Sequence, residues 1–159
     1  MEYLIVKWLH VISSTVLFGT GIGSAFYLLA TTLSRDVRAV AVVARMVVRA
    51  DWLFTATTAV LQPLTGFWLM HLAGLPVQTP WVRASIVCYV LALLCWFPVV
   101  WLQIRLRDLA AAAAQQGTVL PPRYRTLFAW WIALGIPAFV LFLILFWLMI
   151  AKPPLAFFG

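Results

Sequence analysis

Apolar residues run along the chain in four long stretches, roughly Tyr3–Thr31, Trp52–Leu72, Val82–Ile104 and Leu127–Ile150. Each meets the ~20 helical residues that a bilayer core requires. The stretches are continuous, whereas strands of a membrane barrel alternate residue by residue. The pattern therefore predicts an all-α, polytopic membrane four-helix bundle, with residues 1–159 as a single membrane domain.

The polar positions define the connections. Arg35, Asp36, Arg38, Arg45, Arg49 and Asp51 fill the first, and Arg105, Arg107, Asp108, Arg123 and Arg125 the third. The second, Ala73 to Trp81, is short and carries Gly74, Pro76 and Pro80 as breakers. Arg38, Val42, Arg45 and Arg49 fall on one stripe at helical spacing, so the second helix is expected to begin well before its apolar run. The Ala-rich stretch from Arg105 to Gln116 extends the third helix until Gly117 and Pro121-Pro122 stop it.

Composition agrees with a lipid environment. Hydrophobic residues make up 65% of the chain and charged residues 9%, against about 25% charged in a soluble domain. This excludes a soluble enzyme, a disordered tail and a disulfide scaffold. The net charge of +7 does not point to nucleic acid, because the bases lie between apolar runs, where charge sets topology. Eight of the eleven bases fall in the first and third connections; the other three are Lys7, Arg83 and Lys152. The positive-inside rule then puts those connections in the cytoplasm and both termini on the outer, periplasmic side of a bacterial inner membrane. The first apolar run is too long for a signal h-region and contains Lys7, so an uncleaved helix is expected. The arginines themselves read as topology signals and anionic-headgroup contacts.

Ionisable groups inside a span are costly, so each is a candidate for function. Lys7 and His10 share a face of helix one, which Ser13 and Ser14 continue; His71 lies near the end of helix two. The topology predicts that both histidines sit in the outer third of the bilayer, at the level of Arg83 and Lys152. Two imidazoles with cations nearby suit haem b: neutral imidazole is a good axial ligand, and the propionates need basic partners. His10 would be the axial ligand, His71 or a second copy's His10 the sixth, and Lys7 and Arg83 the propionate partners. Trp8, Trp52, Trp68, Trp81, Trp96 and Phe97 are candidate walls for the macrocycle. The alternative for His10 is a packing histidine hydrogen-bonded to a backbone carbonyl or serine, and for His71 an interfacial, solvated side chain. Copper is the competing metal, with Met70, Met149, Cys88 and Cys95 as soft ligands. The two cysteines are seven apart, about 10 Å of helical rise, too far for a disulfide or a shared ion.

Gly19 and Gly23 form a small-xxx-small pair where another helix can approach closely, within the bundle or in a second copy. Pro63 frees a carbonyl one turn back in helix two, with Gln62, Thr58 or Thr65 available to satisfy polar groups there. All four acids, Glu2, Asp36, Asp51 and Asp108, lie at span ends, which argues against an ion-coupled pump. No phosphate loop and no hydrolytic constellation is present.

The opening Lys7-Trp8-Leu9-His10-Val11-Ile12, followed by glycines, resembles the start of small membrane proteins of the HemJ and CopD type. The likeness continues in Thr65-Gly66-Phe67-Trp68-Leu69, in a basic residue opening helix three and in the closing Lys152-Pro153. HemJ-type proteins are haem-containing protoporphyrinogen oxidases; CopD-type proteins are linked to copper import. Arg49 to Thr55, Leu61 to Gly66 and Trp101 to Leu109 look closer still to a bacterial family of integral membrane proteins without an assigned function. The resemblance implies four helices and supports a haem ligand at His10. The chain lacks the Tyr-His pair that HemJ-type proteins carry late in helix one, reading Ala25-Phe26-Tyr27-Leu28 there, and shows Trp96-Phe97 in place of a helix-three histidine.

The resulting expectation is a small membrane protein that binds haem b or a related porphyrin near the outer leaflet. A redox role, with quinone as one partner, is compatible with it. Its rivals are a HemJ-like porphyrinogen oxidase, a cofactor-free assembly protein packing through the Gly19/Gly23 face, and a copper-handling protein. The expected partners are membrane lipids and a second copy or a larger membrane complex, not nucleic acid.

Overall fold

The computed structural model describes residues 1–154. All of its regular structure is helical: α1 (Glu2–Ser34), α2 (Val37–Ala50), a π-helical turn (Asp51–Thr55), α3 (Ala56–Leu72), α4 (Pro80–Gln116) and α5 (Pro122–Ala151). The residues on both sides of the π-turn keep right-handed helical dihedrals, so α2, the turn and α3 form one continuous rod. Four rods result.

The boundaries have local causes. Asp36 caps α2, its Oδ1 accepting from the backbone N–H groups of Arg38 (2.9 Å) and Ala39 (3.1 Å), as a short acidic side chain does at an N-cap. Pro80 and Pro122 open α4 and α5, where a missing N–H costs nothing. Gly117 closes α4 in the left-handed conformation, with φ 66°. The early start of the second rod and the extension of the third are both as the charge stripe and the Ala-rich stretch imply. Arg38, Val42, Arg45 and Arg49 are exposed, while Val40, Ala41, Ala44, Val47 and Val48 on the opposite face are buried.

Three helices, α1, α4 and α5, are long and apolar enough to cross a membrane. The remaining expected span, Trp52–Leu72, falls on the π-turn and α3. The apolar run Trp52–Leu72 is divided by the π-turn, which leaves α3 with 17 residues.

The main core lies at one end, where the buried face of α2 meets Leu28 of α1, Leu102, Leu106 and Ala110 of α4, and Tyr124, Phe128 and Trp131 of α5. Tyr124 is wholly buried, and its hydroxyl bonds Thr32 Oγ1 at 3.0 Å, tying α1 to the start of α5. Away from this end the rods close into a ring with two tight seams, α1 against α3 and α4 against α5. The other two seams are bridged by side chains. Phe18 of α1 meets Phe139, Phe142 and Phe146 of α5, with ring centroids 5.7, 6.2 and 5.1 Å away. Tyr89 of α4 reaches α3.

Candidate functional site: an interhelical cavity and a histidine seam

Two polar features stand out in a molecule with few polar interior groups. The first is the α1/α3 seam. Thr65 Oγ1 lies 2.8 Å from the Leu61 carbonyl and 2.7 Å from His10 Nδ1. With the hydroxyl donating to Leu61, the imidazole donates from Nδ1 and its lone pair falls on Nε2; in the other tautomer the hydroxyl donates to Nδ1. Gln62 Nε2 donates to the His10 carbonyl (2.9 Å) and to Ser13 Oγ (2.5 Å), and Ser13 Oγ donates to the same carbonyl (3.1 Å). Gly66 sits under the ring; a Cβ there would lie 3.4 Å from His10 Cε1. Alanine fits at that distance, whereas Gly66→Leu is expected to displace the imidazole and break its bond to Thr65. The loss should be about 1–2 kcal/mol, read as a lower melting temperature in detergent, with Gly66→Ala close to wild type.

The antiparallel rods bring the other histidine-layer residues to the same end of the molecule, but not into one cluster. His71 is exposed in the last turn of α3, and its neighbour Trp68 donates to Glu2 (3.0 Å). Lys7 is exposed, with Nζ 5.8 Å from the Tyr3 ring centroid, and Lys152 Nζ stands 5.5 Å from that of Trp81. Arg83 is exposed one turn into α4. Cys88 and Cys95 are free thiols. Among the described residues, no three His, Cys, Asp or Glu side chains gather as a metal site. Nothing in the chain's described residues lies within 4 Å of a Cβ added at Gly19 or Gly23. Within the bundle α3 approaches α1 on the His10/Ser13 face, which leaves a second copy as the partner for the glycine pair.

The second feature is a partly open cavity of about 420 Å³ between the rods. Its walls are largely apolar, among them Phe18, Ala92, Gly135 and Phe142. One end is polar and was not singled out by the sequence. Asp51, the first residue of the π-turn, is 4% exposed and lines the cavity with Thr55 and Gln103. Thr55 Oγ1 donates to Asp51 Oδ1 (3.0 Å), and Gln103 lines the cavity beside them. Among the described residues, three buried polar side-chain atoms have no hydrogen-bond partner within the chain: Gln103 Oε1, Trp96 Nε1 and Trp131 Nε1. All three belong to cavity-lining residues. Neither His10 nor His71 lines it.

The cavity wall also resolves the Pro63 question. Pro63 lacks the N–H that would serve the Ala59 carbonyl four residues back. The group that fills this gap is the Tyr89 hydroxyl, donated across from α4. Gln62, Thr58 and Thr65 do not take this role: Gln62 serves α1, while Thr58 and Thr65 bond the carbonyls of Phe54 and Leu61.

Long apolar helices around an interior with a polar end define an integral membrane protein. The chain belongs to the family described as predicted integral membrane protein (DUF2269), whose model matches residues 4–153. No curated protein and no solved structure matches the chain. Nothing in these comparisons brings in the HemJ or CopD type.

Proposed function

We propose that this protein is a multi-pass membrane protein that binds an apolar, amphiphilic molecule in its interhelical cavity. The observation that carries this reading is the cavity itself: its volume falls within the range of about 300–1,000 Å³ found for small-molecule sites. A mainly hydrophobic lining with a few convergent polar groups is the usual composition of such a site. In this reading the second rod also crosses the bilayer through Trp52–Leu72. The arginine-rich connections lie in the cytoplasm and both termini outside, in a bacterial inner membrane. Calorimetric titration of the full chain in detergent with a neutral aromatic probe, triphenylphosphine oxide, tests it. Saturable one-site binding above a protein-free micelle blank is expected; partitioning indistinguishable from the blank, for the oxide and for a hydrophobic cation of the same shape, would sink the reading.

A second reading keeps haem b at the histidine seam. It is favoured by the His10–Thr65 contact: in the Nδ1–H tautomer this leaves the lone pair on Nε2, the arrangement that orients metal-bound imidazoles. His71 or a second copy's His10 would complete the ligation, with Lys7 and Arg83 toward the propionates. Purified protein should then show a Soret band and sharp reduced α and β bands that vanish in His10→Ala. A flat spectrum from haem-replete cells would leave His10 as the hydrogen-bonding residue of the α1/α3 seam.

A further inference from the structure

The polar end of the cavity indicates which head group it takes, given that the cavity is a binding site. Asp51 is desolvated, and its hydrogen-bond partner, the Thr55 hydroxyl, is neutral, as is the neighbouring Gln103 amide. Among the described residues, no Lys, Arg or His lines the cavity. Arg49 and Arg105, close in sequence to Asp51 and Gln103, are exposed, and Arg105 stacks over Trp101 with Cζ 5.5 Å from the ring centroid. A buried carboxylate without a counter-charge is unfavourable by several kcal/mol. In membrane interiors such groups commonly face a ligand or ion of opposite sign. Gln103 Oε1 places a second acceptor beside the carboxyl group, itself without a partner in the chain. The aromatic rings of Trp96, Trp131 and Tyr89 are part of the wall, and such faces attract cations by their quadrupoles.

We propose that the cavity takes a hydrophobic monocation, with Asp51 as its counter-ion. An anionic head group would add a second negative charge beside Asp51, and a neutral one would leave the carboxyl group to be neutralised by a proton instead of by the ligand. A single positive charge on an apolar body answers both the polar end and the walls.

Tetraphenylphosphonium and the neutral triphenylphosphine oxide, titrated separately into the full chain in detergent, test the charge preference. Wild type is expected to bind the cation at least about tenfold more tightly than the oxide, and Asp51→Asn to bring that ratio close to one. A wild-type ratio of one or less overturns the counter-ion role even if the variant does not fold. So does a cation preference that persists in Asp51→Asn. Saturable oxide binding without cation preference removes this inference alone. Saturable binding of neither probe removes the cavity reading with it.

Discussion

Gly135→Phe is expected to fold as well as wild type and to lose cavity binding. Gly135 lines the cavity from α5, and nothing lies within 4 Å of a Cβ built on it. A side chain added there grows into the cavity instead of into a neighbouring helix. Phenylalanine also forms helix more readily than glycine, by a few tenths of a kcal/mol. Melting temperature in detergent should therefore hold or rise. Affinity for triphenylphosphine oxide should fall by at least about tenfold, a change of roughly 1.4 kcal/mol. Retained affinity with an intact fold would mean that the probe binds elsewhere, on the lipid-facing surface.

The second large effect concerns the α3/α4 seam. Tyr89→Phe removes the only donor identified for the Ala59 carbonyl, which Pro63 has already deprived of its helical partner. Leaving a buried carbonyl unsatisfied costs about 1–3 kcal/mol. The two residues should therefore be coupled. Pro63→Ala restores an N–H to the helix, and in that background Tyr89→Phe should cost about 0.5 kcal/mol or less. A double-mutant cycle on unfolding free energy should give a coupling of about 1–2 kcal/mol. Additive effects would show that the hydroxyl does not serve the proline gap.

The sequence carried the helical architecture because lipid enforces one rule, that backbone polar groups be satisfied within the segment. Long apolar runs, Pro80 and Pro122 at helix starts and Gly117 at a helix end were therefore legible one residue at a time. The His10/Ser13 face was legible too, since a polar stripe at helical spacing on an apolar helix has to meet something. What it meets, Gln62 and Thr65, was not, because those residues read as local partners for the Pro63 kink. Asp51 was misjudged for a related reason. At the edge of an arginine-rich connection it looks like an interfacial charge. Yet it continues the buried stripe Val40, Ala41, Ala44, Val47 and Val48 at helical spacing, and its carboxyl group lies on the buried face with Thr55. The spacing of Gly19 and Gly23 permits a close helix contact, but it does not say whether the partner lies in the bundle or in a second copy. Which rod faces which depends on the whole ring of helices.

Photolabelling with a diazirine derivative of triphenylphosphine oxide, followed by peptide mapping, tests whether the cavity is where the probe binds. Labels are expected on cavity segments, Ala92–Gln103 of α4 and Gly135–Phe142 of α5, removed by excess unlabelled probe. Labels confined to exposed residues outside them, such as Val87 and Trp147, and insensitive to competitor, would contradict it.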